Sequence, residues 1–431
     1  MQRHRHRQAR AAAWAALLIC AAPAPGLSAG SGPQGAAKTA APLETTQPAA
    51  ARPWARYKVD PAGISSWPQA DWGRFSDLAH PHLTPPGAET LHHSGPIEGD
   101  AGRGKRLAFD RSRGGSCVSC HVLGKDTPAQ PGNVGPDLSA IGAHRSDQQL
   151  FDIVYDARVV NRDTIMPPWG AHGIFNAAEI KDIVAFLKTL QTPYRFTDRS
   201  EDPATRPPPV DKRDNLDATE NPAMFVLDAG KRAYQRAGPT GKSCADCHGA
   251  AEQRFKSWAA TLPRFEPRLG KVLGVEEFVT RHARATTGEN LLMETEDNVG
   301  LSIYLRNLAN GRPMRPDVSS PGAKQALQRG NALLRAKLGQ LDMACVDCHV
   351  THSGKWARGQ LLVRFKGTVA HFPTWRTSRA DVWDIRKRFQ WCNVSVRANE
   401  LPPDAPEYGD IELALALINQ GEKLNSPGIR H

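Results

Sequence analysis

The chain has 431 residues, 40% of them hydrophobic, and a formal net charge of +11 at pH 7. This length predicts about three domains, and the composition supports several modest cores. The positive charge does not point to nucleic acid, because no basic helix with interleaved aromatic residues and no known binding motif accompanies it. A positive field that attracts small anions or an acidic protein fits the sequence better.

Residues 1–29 have the pattern of a secretory signal peptide. Four arginines precede an apolar run, Ala11 to Ala22, and a small-residue cleavage site ends at Ala29. The run is too short to span a bilayer, so we expect export to the periplasm without stable membrane insertion. Cleavage would lower the net charge to +7. A lipid anchor at Cys20, inside the run, is the alternative. Residues 30–57, rich in Ala, Pro, Gly and Thr, predict a disordered tether.

Three C-x-x-C-H triplets account for six of the seven cysteines that remain after cleavage. This pattern attaches c-type haem, because the two thiols bond to the vinyl groups and the histidine takes one axial position on iron. Zinc is the alternative, since C-x-x-C pairs are common zinc half-sites. A histidine after every pair favours three covalently bound haem c groups. The triplets are Cys117-Cys120-His121, Cys244-Cys247-His248 and Cys345-Cys348-His349.

Each triplet lies between two helical patterns, so the chain contains three repeats of one plan. Short basic helices are predicted at 101–109, 227–236 and 322–338, and amphipathic helices follow each triplet near 180–190, 301–308 and 411–418. Asn176 and Glu179 form a capping box before the first amphipathic helix. A haem between an N-terminal and a C-terminal helix is the plan of small cytochromes c.

We therefore predict a mainly α protein with three cytochrome c-like haem domains in tandem, joined by loop-rich linkers. The first haem domain covers residues 58–192 and is followed by a linker, 193–222, whose prolines and mixed charges show no periodicity. The second and third haem domains cover residues 223–312 and 313–431.

In the first domain, Met166 is the favoured axial ligand opposite His121. It is the only methionine between His121 and the end of the domain, and the two prolines that follow it in DTIMPPWG argue against packing in a helical core. His/Met ligation raises the reduction potential of a haem. His144 and His172 are the alternatives.

In the second domain, His282 and Met293 are both candidates opposite His248. Met293 lies 45 residues after His248, the same separation as between His121 and Met166, so spacing does not decide between them. Met293 precedes the last helix in a context suited to core packing, whereas His282 lies between two arginines that can reach haem propionates. Context favours His282, and bis-His ligation would lower the potential of this haem.

In the third domain, Cys392 is the cysteine that belongs to no triplet, and it lies 43 residues after His349. It is a candidate for the second axial position or for a reactive thiolate beside it, with His371 as the rival ligand. Nearby cations lower the pKa of a cysteine. Four of them flank Cys392 in the sequence: Arg386, Lys387, Arg388 and Arg397. A cysteine among cations beside a redox centre predicts chemistry on an anionic substrate.

The sequence resembles the haem proteins of the bacterial thiosulfate-oxidising Sox system. Residues 98–191, with RGKRLAFDRSRGGSCVSCHVLG, GPDLSAIG and DTIMPPWG, resemble the SoxX cytochrome. Residues from about 221 onward resemble SoxA, with RGNALLRAKLGQLDMACVDCH, RKRFQWCNVSVRANELPP and NSPGIRH as the most specific stretches. SoxX and SoxA are usually separate subunits of a heterodimer, so the chain looks like a natural fusion of the two.

The resemblance implies L-cysteine S-thiosulfotransferase activity, in which thiosulfate is coupled to a cysteine of the carrier protein SoxYZ and two electrons pass to the haems. It assigns the haem-ligating cysteine, often a persulfide, to Cys392, the active-site arginine to Arg388 and the SoxX methionine ligand to Met166. Where the other SoxA haem commonly has a cysteine ligand, this chain has His282. A soluble cytochrome c is the expected electron acceptor. The alternatives are a pure electron carrier, with Cys392 only as an axial ligand, and a haem scaffold.

Overall fold

The structure, a computed structural model, describes residues 72–83, 93, 95–127, 130–208, 217 and 219–430. The predicted signal peptide, Cys20 and the tether lie outside the described residues, as does the first part of the predicted 58–192 domain. All described residues belong to one compact unit of the chain.

The first lobe, residues 95–191, is helical. Its helices are α1 (Ala101–Phe109), α2 (Ile141–His144), α3 (Asp147–Tyr155) and α4 (Ala177–Lys188). The predicted capping box before α4 is confirmed, because the Asn176 side chain accepts from the Glu179 N–H and the Glu179 side chain accepts from the Asn176 N–H, each at 2.9 Å. The first triplet lies in the loop after α1, with Cys117–Ser119 in a short 3₁₀ turn.

The second lobe, residues 219–312, adds one β-hairpin to its helices. The elements are α5 (Ala223–Gln235), α6 (Cys244–His248), α7 (Ala251–Arg254), β1 (Arg264–Glu266), β2 (Lys271–Leu273), α8 (Val275–Thr286) and α9 (Glu296–Asn307). Strands β1 and β2 are antiparallel, with Arg264 opposite Leu273. The second triplet forms α6, which Ser243 and Asp246 cap reciprocally.

The third lobe, residues 313–430, has the most strands. The elements are α10 (Pro321–Leu333), β3 (Trp356–Ala357), β4 (Gln360–Leu361), β5 (Thr374–Arg376), β6 (Asp381–Trp383), α11 (Ile385–Ser395), α12 (Pro406–Ile418) and β7 (Gly428–Arg430). Strand β5 pairs antiparallel with β6 and parallel with β7. The third triplet runs into a π-helical turn, Asp347–Thr351.

A glycine holds the two principal helices of each lobe in close contact. A Cβ on Gly104 of α1 would lie 1.8 Å from the Asp182 carbonyl oxygen of α4, one on Gly230 of α5 would lie 2.0 Å from the Gly300 oxygen of α9, and one on Gly330 of α10 would lie 2.1 Å from the Asp410 oxygen of α12. Only glycine permits backbones to approach this closely. The three lobes therefore share one helix crossing.

The second and third lobes share one hydrophobic core, while the first lobe has its own. The first-lobe core nevertheless includes Leu341 of the third lobe, which is fully buried. Polar contacts reinforce this boundary, because the His172 Nδ1–H donates to the Gln340 carbonyl at 2.8 Å and the Gln340 side chain donates to the His172 carbonyl at 2.7 Å. The first and third lobes thus contact each other through both a buried apolar side chain and hydrogen bonds.

Residues 193–208 of the predicted linker contain no helix or strand and pack along this boundary. The Asn133 side-chain amide donates to the Pro203 carbonyl at 2.9 Å, and the Arg206 guanidinium lies 4.6 Å from the ring centroid of Trp356 in the third lobe. Within the described residues, no helix has both the length and the apolar character required for a membrane crossing.

We predict that Gly330→Ala destabilises the haem-loaded protein by about 1–3 kcal/mol or more, because its Cβ would overlap the α12 backbone. Gly102→Ala in α1 is the matched control, since its Cβ would meet only side-chain atoms, of Asp100 at 3.2 Å and Arg106 at 3.9 Å, and we expect a change within about 1 kcal/mol. Urea unfolding measures both. Equal stability of Gly330→Ala and the unchanged protein would contradict the close crossing.

Candidate functional site

The three triplets differ from zinc sites in their surroundings. None of the seven described cysteines is in a disulfide, and among the described residues no group of three or more His, Cys, Asp or Glu side chains is arranged to hold a metal ion. Burial raises the pKa of Cys117, Cys345 and Cys348 to about 12. Thioether attachment to a haem does not require a thiolate in the product, so buried sulfurs of this kind suit it.

The triplet histidines of the first and third lobes are oriented by backbone carbonyls. The His121 Nδ1–H donates to the Pro136 carbonyl at 2.8 Å, and the His349 Nδ1–H donates to the Val363 carbonyl at 2.7 Å. This bond fixes the tautomer that leaves Nε2 as the metal ligand. A Cβ at Gly135 would lie 2.1 Å from the His121 ring, so glycine is required beside it.

Met166 lies in the first-lobe hydrophobic cluster that also contains Cys117, and it is half-buried. The alternatives lie elsewhere: His144 is exposed at the end of α2, and His172 is buried against the Phe75 ring with its Nδ1–H bonded to the third lobe. Met166 and Cys117 therefore pack against the same cluster, and Met166 stays the predicted ligand.

In the second lobe, His248 and His282 face each other. Their ring centroids are 5.7 Å apart with an interplanar angle of 39°. Met293 is 4% exposed and belongs to the buried core. A pair of opposed imidazoles suits two axial positions on one iron, so the geometry supports His282 rather than Met293 as the partner of His248.

His282 and Cys392 occupy equivalent positions in the second and third lobes. Each element of the segment β5-β6-α11 begins 110 positions after its counterpart in the segment β1-β2-α8. The two hairpins also have the same pairing register. The same offset relates His282 in α8 to Cys392 in α11, and Phe278 to Arg388. Because both helices leave equivalent hairpins, these side chains project from equivalent faces.

Cys392 lies within electrostatic range of the third triplet, since it raises the pKa of both Cys345 and Cys348. Arg388 precedes it by one helical turn on the same face of α11. The Arg388 charge lowers the pKa of His349, which places the guanidinium near the triplet as well. The rival His371 is instead buried beside β7, where its Nδ1 accepts from Arg430 at 3.1 Å.

Two of the four flanking cations do not contribute to this site as the sequence suggested. Arg386 is fully buried on another face of α11, where it donates to Glu277 at 2.7 Å and to Glu412 at 3.0 Å. Lys387 donates to Asp381 at 2.7 Å. Carboxylates compensate both charges. For Arg388, by contrast, no carboxylate among the described residues lies within ion-pair distance.

Sequence reasoning missed Arg358, which acts electrostatically on Cys392, Cys348 and Cys120. It lies in the two-residue turn between β3 and β4, with a positive φ of 53°. An arginine in a short hairpin gives no sequence signal of proximity to a cysteine 34 positions later. The fourth flanking cation, Arg397, lies with its guanidinium carbon 5.8 Å from the centroid of the Trp72 ring. Arg358 and Arg388 are the cations that act electrostatically on Cys348 and His349 of the third triplet.

Comparison with known proteins supports cytochrome c domains at two places. Residues 101–191 match the family model for cytochrome c, and residues 229–314 match the model for the SoxA/TsdA cytochrome c domain. Such domains bind haem c covalently. A third haem domain is matched by neither model.

Relatives are named L-cysteine S-thiosulfotransferase subunit SoxA. The chain is 27% identical over 212 residues to the one from Chlorobaculum thiosulfatiphilum, covering 48% of this chain and 72% of the relative. It is 28% identical over 222 residues to that of Paracoccus pantotrophus, covering 51% and 74%. The crystal structure of SoxXA from P. pantotrophus matches 49% of this chain and 80% of that chain, with 24% identity and a TM-score of 0.46.

We predict that His282→Ala changes the spectrum of one haem from six-coordinate to five-coordinate, because the imidazole opposite His248 is removed. Met293→Ala is the matched comparison. It should leave the haem spectra unchanged and lower stability by about 2–5 kcal/mol, since a core side chain is lost. Optical and electron paramagnetic resonance spectra together with urea unfolding separate the two. The reverse pattern would assign the ligand to Met293.

Proposed function

We propose that this chain, a SoxAX-type cytochrome c, couples thiosulfate oxidatively to a cysteine of a SoxYZ-type carrier protein, with Cys392 as its reacting sulfur. The proposal rests on the relatives named L-cysteine S-thiosulfotransferase subunit SoxA. The observation that carries it is the pair formed by Cys392 and Arg388, which occupies the face of α11 where α8 has His282 and Phe278.

The reaction forms one S–S bond and releases two electrons. The outer sulfur of thiosulfate joins the carrier sulfur, the carrier thiol loses its proton, and the product is a carrier S-thiosulfonate with one negative charge. One thiosulfate dianion and one thiol thus give the product, one proton and two electrons. A soluble oxidised cytochrome c, in two one-electron steps, is the final acceptor.

Cys392 and Arg388 have complementary roles in this reaction. Arg388 binds the sulfonate of thiosulfate through charge-assisted hydrogen bonds, for which its planar guanidinium is suited. Cys392, one turn away, first bonds to the outer sulfur of thiosulfate as the two electrons leave, and the carrier thiolate then attacks that sulfur, displaces Cys392 as a thiol and keeps the new S–S bond. Because no described carboxylate compensates Arg388, its charge is available to an anion.

Three haem c groups are proposed, attached at the three triplets. The side chains that would hold the three irons are His121 with Met166, His248 with His282, and His349 with Cys392. Haem iron supplies one-electron acceptance, which the sulfur chemistry requires. The third attachment is supported by the glycine-mediated helix crossing that all three lobes share.

The proposed setting is the periplasm, as the signal-like pattern of residues 1–29 indicates. The net positive charge would attract both the dianionic substrate and an acidic carrier. The bis-imidazole site of the second lobe lacks both the thiol and the arginine of the third, so its role is limited to electron storage or transfer.

A multihaem electron carrier without sulfur chemistry is the second candidate. The equivalence of Cys392 and His282 favours it, because the same position then supplies only an axial ligand in both lobes. The two proposals differ in whether the Cys392 thiol reacts with thiosulfate or only binds iron.

We expect Cys392→Ala to abolish thiosulfate-dependent reduction of the first-lobe haem while its reduction by dithionite is retained. Cys392→His is the matched variant, because it reproduces the ligand pair of the second lobe and restores a six-coordinate haem without a thiol. It too should show no turnover with thiosulfate and carrier. Turnover in either variant would establish the electron-carrier function instead.

We expect Arg388→Gln to lower kcat/KM for thiosulfate by about tenfold to a hundredfold, the loss of charge-assisted hydrogen bonds worth roughly 1.5–3 kcal/mol. Arg388→Lys should lie between, since it keeps the charge but not the planar fork. Arg312→Gln, at an exposed position, is the control and should have no effect. An unchanged kcat/KM in Arg388→Gln would show that the sulfonate binds elsewhere.

A further inference from the structure

The β3–β4 hairpin joins the third lobe to the first lobe beside the first triplet. The Trp356 N–H donates to the Asn133 side chain at 2.7 Å, and the Asn133 N–H donates to the Trp356 carbonyl at 3.0 Å. At the turn of the hairpin, the Arg358 N–H donates to the Ser119 carbonyl at 2.9 Å, between Cys117 and Cys120. The hairpin backbone is thus bonded directly to the first attachment loop.

The Arg358 guanidinium connects this loop to the helix that carries Cys392. Its Nη2 donates to the Gly114 carbonyl at 2.6 Å, three residues before Cys117. Its Nη1 donates to the Ser395 carbonyl at 3.2 Å, three residues after Cys392 at the end of α11. One planar group therefore spans the two lobes with hydrogen bonds at both ends, a geometry that lysine cannot reproduce.

The groups that attract the Arg358 guanidinium electrostatically are cysteine sulfurs and not carboxylates. Desolvation lowers its pKa, while Cys120, Cys348 and Cys392 act in the opposite sense. Among the described residues no carboxylate lies within ion-pair distance of it. Once Cys120 and Cys348 form thioethers, neither can carry a charge, so the positive charge of Arg358 is not cancelled by them.

Within its described residues, the second lobe has no counterpart of the β3–β4 hairpin or of Arg358. In the second lobe the triplet histidine His248 contacts the ring of Phe255, seven positions later, whereas in the third lobe His349 contacts the ring of Phe365, sixteen positions later. The nine additional residues of the third lobe lie in the stretch that forms the β3–β4 hairpin. The lobe with the thiol therefore differs from the lobe with two imidazoles by an insertion that supplies Arg358.

We propose that Arg358 is a positioning residue that holds Cys392 and the first attachment loop in fixed relation, and whose charge favours electron acceptance at the first and third haem sites but not at the second. This inference rests on the proposed function for its substrate, but its effect on the haems is independent of turnover. A fixed positive charge near a haem stabilises the reduced form, and net charge is one of the factors that set redox potential.

Arg358→Gln and Arg358→Lys test the two parts of the proposal separately. The glutamine variant removes the charge, so the potentials of the first and third haems should fall while that of the second is unchanged. The lysine variant keeps the charge but loses the two-ended contact. Its potentials should stay near those of the unchanged protein, while thiosulfate-dependent reduction of the first haem slows by about tenfold to a hundredfold, as expected for misplaced reactive groups.

The measurements are spectroelectrochemical titration of each haem and stopped-flow reduction, with haem content as the check on folding. Arg335→Gln is the control, since its side chain is exposed and donates to the Asn331 carbonyl in its own lobe. Unchanged potentials and rates in both variants would overturn the inference and leave the proposed function standing. If the unchanged protein has no thiosulfate turnover, the proposed function fails, and the titrations still decide the role of Arg358. If the glutamine variant does not fold, the lysine variant decides by its rate.

Discussion

The ion-pair cluster around Arg386 determines which way α11 faces. A fully buried guanidinium is tolerated because Glu277 from the second lobe and Glu412 from α12 both bind it. Removing one partner from such a buried pair costs about 3–5 kcal/mol, so the helix has one stable rotation. With Arg386 held inside, Arg388 and Cys392 are directed to the attachment site. The candidate chemistry therefore depends on a salt-bridge cluster that takes no part in it.

The second and third lobes have the same local fold but carry different side chains at the two positions that face the attachment site. Their hairpins and following helices have the same register, yet α8 carries Phe278 and His282 where α11 carries Arg388 and Cys392. In the second lobe, Phe278 stacks on His282 with ring centroids 5.6 Å apart, which occupies the space that an anion would need. In the third lobe, Arg388 takes the place of this ring and carries a positive charge. Two substitutions and one inserted hairpin thus separate an electron site from a proposed reaction site.

Local signals in the sequence predicted much of the fold. The C-x-x-C-H triplets, the helix before and after each, and the capping box at Asn176 depend on residues close in the chain, and the structure contains these helices and the capping box. The sequence could not predict which of the neighbouring cations form ion pairs, since Arg386 and Arg388 differ only in the partners that the tertiary fold brings to them. The same applies to Arg358, whose importance arises from contacts with residues more than 200 positions earlier. His282 was favoured by context, and the register shared with Cys392 now gives that preference a structural basis.

The position of residues 193–208 along the boundary of the first and third lobes has a consequence for assembly. Pro203 and Arg206 touch both sides of that boundary, so the connecting segment is part of the contact as well as a tether. A covalent link converts association into an intramolecular event with a high effective concentration. A contact that would dissociate on dilution between separate subunits can then persist at any protein concentration. The interface itself is consequently released from selection for tight binding.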